Sequence, residues 1–196
     1  MESELIKGGL DMKPTEELTE EHKKIKAMLK VLQGVAGRLD AGDKVEVADL
    51  ENIVDFIRGF ADRYHHAKEE DLLFPAMEEA GIPRQGGPTA VMLIEHDMGR
   101  KYVKAMAEAI PEFQAGNGKG AKKFAQNARD FAALLSQHID KEDNILYLMA
   151  DASIPEEKQE ELKEQFAKAN ARELSVEKRL DYEKLVGRLA EIYAGA

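Results

Sequence analysis

His65 and Glu69 stand four residues apart, as do His138 and Glu142. On an α-helix that spacing puts both side chains on one face, about 40° apart around the axis. Each pair then aims one neutral nitrogen and one anionic carboxylate at a single point. A carboxylate has two oxygens, so Glu69 and Glu142 can each bridge two metal ions. Bridging carboxylates with terminal imidazoles suit iron or manganese. His22 and His96, each preceded by a glutamate, offer two more imidazoles.

His66 completes the five histidines of the chain. It lies about 100° from His65 around a helix, with Glu69 between them. Two readings are open to it: a further ligand leaning in from the helix flank, or a partner for Glu70 at i+4. Glu21, Glu70 and Glu95 adjoin the candidate ligands without sharing their faces. Tyr64, Tyr102 and Tyr147 read as bundle packing. Met28, Met77, Met92, Met98, Met106 and Met149 read as core filler.

These residues need helices to position them, and the sequence punctuates itself accordingly. Helix signals run over about 15–39, 46–80, 88–114 and 120–152. The first starts at a cap-like Thr15 with Glu16 and Glu17 behind it. The breaks fall at Asp40-Ala41-Gly42-Asp43, at 81–88 (GIPRQGGP) and around Gly116-Asn117-Gly118. Pro155 opens a charged helix, and Ser175 caps a last one reaching Tyr193. On a helical wheel Phe131, Leu134, Ile145 and Met149 flank His138 and Glu142, which sets that pair inside an apolar stripe. Val54, Ala61, Leu72 and Ala76 flank His65, on a stripe that Arg58 and Lys68 make less clean.

The chain also repeats. The segment His65-His66-Ala67-Lys68-Glu69-Glu70-Asp71-Leu72-Leu73-Phe74 overlays His138-Ile139-Asp140-Lys141-Glu142-Asp143-Asn144-Ile145-Leu146-Tyr147 at an offset of 73. Glu21-His22 overlays Glu95-His96 at an offset of 74. A helical hairpin recurring in this way predicts an all-α, antiparallel up-down four-helix bundle with a pseudo-twofold axis. The expected organisation is a lead-in at 1–14, the bundle at 15–152 and a C-terminal helical extension at 153–196. That extension could cover the bundle, form a homo-oligomer interface or bind a partner.

Composition bounds the chemistry. Cysteine is absent from the 196 residues, which excludes disulfides, thiolate catalysis and cysteine-held metal. The net charge of −10 argues against nucleic acid as a partner, because no basic stripe exists to displace counterions. No stretch is apolar enough for a membrane span, and the first residues lack a signal-peptide pattern, so a cytoplasmic location is expected. An ionised glutamate in an apolar core costs several kcal/mol unless paired. A metal cation is the natural partner for Glu69 and Glu142.

Taken together, E-H, H-H-x-K-E-E-D-x-L-F-P, E-H-D-x-G-R and H-x-x-x-E resemble the hemerythrin-like (HHE cation-binding) domains, over roughly residues 15–150. By that resemblance His22, His65, Glu69, His96, His138 and Glu142 map to ligand positions. The family implies two iron ions with an oxo or hydroxo bridge. Its members bind or sense dioxygen, handle nitric oxide or peroxide, or sense and store iron. Oxygen-carrying hemerythrins have a second histidine four residues after the third-helix one. Here that position is Arg100, which leaves one metal short of an imidazole unless His66 or a water supplies the place. The iron-cluster repair branch carries a cysteine-bearing segment, so that activity is disfavoured. Histidine-rich ligation stabilises high-valent iron less than carboxylate-rich ligation does. Binding or sensing of dioxygen or nitric oxide is therefore expected, with a di-iron enzyme acting on peroxide or nitric oxide, or an iron sensor or store, as the alternatives.

Overall fold

The computed structural model describes residues 12–195, so most of the expected lead-in lies outside the described residues. Helix α1 is Pro14–Ala41. Helix α2 spans 47–79: α-helical Val47–Phe56 and Phe74–Glu79 flank wider π-helical stretches at Ile57–His66 and Glu69–Leu73. Helix α3 is Pro88–Gln114. Helix α4 spans 118–153, with a π-helical stretch at Glu142–Leu146 between Gly118–Lys141 and Tyr147–Ser153. Helices α5, Glu156–Glu173, and α6, Val176–Tyr193, complete the chain. No strand occurs among the described residues.

The caps follow the local chemistry with one departure. Helix α1 begins not at a Thr15 cap but one residue earlier. Pro14 takes the first helical position, where a missing N–H costs nothing, and Glu16 accepts a hydrogen bond from the Lys13 backbone N–H at 2.8 Å. Thr15 instead donates to Asp151 at 2.7 Å, tying the start of α1 to the end of α4. Gly42, with φ of 75°, closes α1 in the left-handed conformation that glycine adopts without strain. Asn117 and Ser175 cap α4 and α6 by accepting from the backbone N–H of Lys119 and Lys178.

The first four helices form the bundle, with α1 against α4, α4 against α3, α3 against α2 and α2 closing on α1. Helices α5 and α6 lie over α1 and α2. Two apolar clusters fill the interior. One, holding Leu32, Leu50, Ile53, Phe56, Phe60 and Phe124, also takes in Tyr182, Leu189 and Tyr193 of α6. The other gathers Leu18, Leu73, Phe74, Met77, Leu146 and Tyr147, with Phe166 of α5. No described helix is long and apolar enough to cross a membrane.

The π-helical stretches change which residues face inward. The Phe74 N–H bonds to the Glu69 carbonyl and the Tyr147 N–H to the Glu142 carbonyl, each five residues back. Each such turn takes in one extra residue and rotates the residues downstream of it by about 100° relative to an ideal α-helix. Ile145 and Met149 therefore leave the inward stripe on which regular periodicity sets them. They are 56% and 37% exposed, while Leu146, Tyr147 and Ala150 are buried. Likewise Leu73 and Phe74 are buried where Leu72 is half-exposed. Met98, at 38%, is also a surface residue rather than core filler.

Candidate metal centre

The centre lies across all four bundle helices. His22 comes from α1, His65, His66 and Glu69 from α2, His96 from α3, and His138 and Glu142 from α4. All seven side chains are buried, and both glutamates are fully so. They fall into two groups, His22–His65–Glu142 and His66–Glu69–His96–His138. Within each, one candidate ligand atom per residue lies within 4.8 Å of the others. Glu142 reaches both groups: Oε2 is 3.3 Å from His22 Nε2 and Oε1 is 2.9 Å from His138 Nε2. Glu69 Oε2 sits between them, 3.7 Å from His65 Nε2 and 3.6 Å from His96 Nε2.

The imidazoles are oriented from behind by acids on neighbouring helices. The Nδ1 atoms of His22, His65, His96 and His138 lie 2.6–2.9 Å from Asp143, Glu21, Glu70 and Glu95 respectively. A carboxylate at Nδ1 holds the proton there and leaves a lone pair on Nε2. Yet His22 Nε2 and His65 Nε2 are 3.1 Å apart, and His96 Nε2 and His138 Nε2 are 2.9 Å apart. Two lone pairs at that distance repel unless a proton or a cation lies between them.

Behind the acids stands a ring of cations. Lys26 holds Asp143, Lys68 holds Glu21, Arg100 holds Glu70, and Lys141 holds Glu95. The whole arrangement obeys the internal repeat. His22, Asp143 and Lys26 recur as His96, Glu70 and Arg100. His65, Glu21 and Lys68 recur as His138, Glu95 and Lys141. Glu21, Glu70 and Glu95 thus serve as orienting acceptors, in each case for the histidine of a different helix. Glu70 is the partner of His96 and Arg100 and not of His66. Arg100, in the place of a missing imidazole, points outward to Asp62 at 2.9 Å and Glu70 at 2.6 Å.

His66 breaks the symmetry, since Ile139 occupies its place in the second repeat. Its ring stacks on His96 with centroids 3.8 Å apart. Its Nδ1 is buried without a hydrogen bond, 3.5 Å from Asp62. A cavity of about 260 Å³ abuts this side of the centre, lined by His66, His96, Gly99, Arg100, Val103 and Phe131 among others.

The donor set fits a pair of cations. Glu69 Oε2 and both oxygens of Glu142 are buried without a hydrogen-bond partner. Neither carboxylate has a Lys or Arg within 4.0 Å among the described residues. Burial and the neighbouring Glu142 charge push the Glu69 carboxyl well above the usual carboxylate range. Glu142 is equally buried, but His138 and His22 hold it well below that range. Burial pushes His65 and His66 well down, toward the neutral form that a metal ligand requires, whereas at His22 and His138 the neighbouring carboxylates of Glu142, Asp143 and Glu95 outweigh burial and raise the imidazoles.

One residue at the centre was not visible as such in the sequence. The Tyr147 hydroxyl donates to Glu69 Oε1 at 2.7 Å and lies 3.4 Å from His22 Nε2. Nine residues from His138, it would face away from that histidine on a regular α-helix. The extra residue in the π-helical turn brings it in.

The pattern describing the hemerythrin HHE cation binding domain matches residues 13–150. Uncharacterized proteins of Mycobacterium tuberculosis and Mycobacterium bovis are 26% identical to this chain over 132 residues, 67% of this chain and 51% of theirs. The chain thus spans about half the length of these relatives.

Proposed function

The chain belongs to the hemerythrin HHE cation binding domain family, and on that premise we propose that it is a non-haem di-iron protein that binds or senses dioxygen or nitric oxide. The observation that carries the reading is the set of lone pairs converging on two points: three carboxylate oxygens without partners and two facing pairs of imidazole nitrogens. His22 and His65 would hold one ion, and His66, His96 and His138 the other, with Glu69 and Glu142 shared. Iron held there in its reduced form would supply electrons to a bound small ligand.

The surrounding residues suit that task. The orienting acids fix the imidazoles before any ligand arrives, so little reorganisation is needed. The cavity beside His66 and His96 gives a small molecule a way to the centre without parting the bundle. The buried site is flanked by two apolar clusters, which favours an uncharged ligand. Beyond the candidate ligands and Tyr147, the acids nearest the centre are each paired with a Lys or Arg rather than free to move protons, which supports binding over turnover.

Loading the protein with iron(II) under argon and then aerating it tests the reading. The expected result is an optical change that reverses on removing the gas, with no sustained consumption of added peroxide. Sustained peroxide turnover would instead identify an enzyme.

A further inference from the structure

Tyr147 is a buried phenol with a hydroxyl that the packing does not need. Its ring stacks on His22, with centroids 5.5 Å apart and planes 9° from parallel. At the matching place in the first repeat, Phe74 stacks on His96 at 6.2 Å and 19°. The two rings do the same packing work in the two halves, so phenylalanine suffices for that role. The hydroxyl is an addition, and it points at the centre, 2.7 Å from Glu69 and 3.4 Å from His22 Nε2.

A second asymmetry runs the other way. His66 gives the His96–His138 group a third imidazole, while the corresponding position beside His22 and His65 is Ile139, buried at 1% exposure. One half lacks a donor where the other half has His66. The same half has a phenol where the other has Phe74. The two differences compensate in number: each group would have two imidazoles, one extra donor and the shared glutamates.

We propose that Tyr147 is a metal ligand, binding as phenolate to the ion held by His22 and His65. This rests on the di-iron reading above. On binding, the Oη–H bond breaks, an oxygen–metal bond forms and the proton leaves to solvent; no electron is transferred. A hard anionic oxygen favours the oxidised metal, so the ligand also biases the centre toward the ferric state.

The test compares wild-type protein and Tyr147→Phe after loading with iron and oxidation in air, with iron content measured on the same samples. Wild type should show a tyrosinate-to-ferric charge-transfer band in the visible and resonance-enhanced phenolate ring vibrations. Tyr147→Phe should keep the iron content, as Phe74 fits the equivalent place, and lose both signals. Iron-replete wild type without phenolate vibrations overturns the proposal while leaving the di-iron reading intact, and requires no variant to fold. Survival of the signals in Tyr147→Phe also overturns it. Wild type that takes up no iron removes both.

Discussion

Every symmetric imidazole of the centre is held by a relay of three side chains: histidine, acid, cation. In His138–Glu95–Lys141 the acid comes from α3 and the other two from α4. Glu95→Gln should leave the fold intact and weaken metal binding by roughly 10–100-fold, the usual effect of losing an orienting partner. Competition with a coloured chelator measures this, and an unchanged affinity would refute the relay. The inner cluster of candidate ligands was legible because a spacing of four on a helix is a local property. The relay was less so. Glu21 adjoins His22 in the chain but serves His65, since neighbours in sequence point to different helices. Tyr147 reads as bundle packing because regular periodicity turns it away from His138; its alignment with Phe74 in the repeat was the available signal.

The elements owe their fit to a few close approaches and to the π-helical turns. Those turns fall at Glu69–Leu73 and Glu142–Leu146, immediately at the two bridging candidates. Helix existence and order followed from periodicity and turn residues, but the wider turns have no sequence signature here, so inward faces beyond Glu142 were misassigned. Helix α6 meets α1 at Gly34, where an added Cβ would lie 1.8 Å from the Tyr193 carbonyl oxygen. Gly34→Ala must therefore push backbone from backbone. We expect a loss of about 1–3 kcal/mol, typical of overpacking, read from urea unfolding, and no change in the number of metals bound. A variant as stable as wild type would show that α6 does not pack there. Further along α1, Asn170 of α5 bridges Lys68 and Glu17, joining the C-terminal helices to the cation ring around His65.

At the scale of the whole molecule, a polar centre is held between two apolar clusters. Each large side chain buried there contributes roughly 1.5–3 kcal/mol, while an unpaired buried carboxylate costs several. The fold can carry the centre, but Glu69 and Glu142 together are better accommodated with cations between them. The 73- and 74-residue offsets make the duplicated bundle readable in the sequence alone. The placement of α5 and α6 over α1 and α2 was not readable, because their charged sequences could equally serve another surface. The central claim is that the two groups of donors hold two metal ions, and metal analysis of protein purified without oxygen and reconstituted with iron(II) tests it most directly. Two ions per chain are expected, one for each group, falling sharply in a His138→Ala, Glu142→Ala variant that remains helical. Less than about one ion per chain, or a content unchanged by that double substitution, would contradict the account, because Glu142 faces both groups and His138 is a donor of the second.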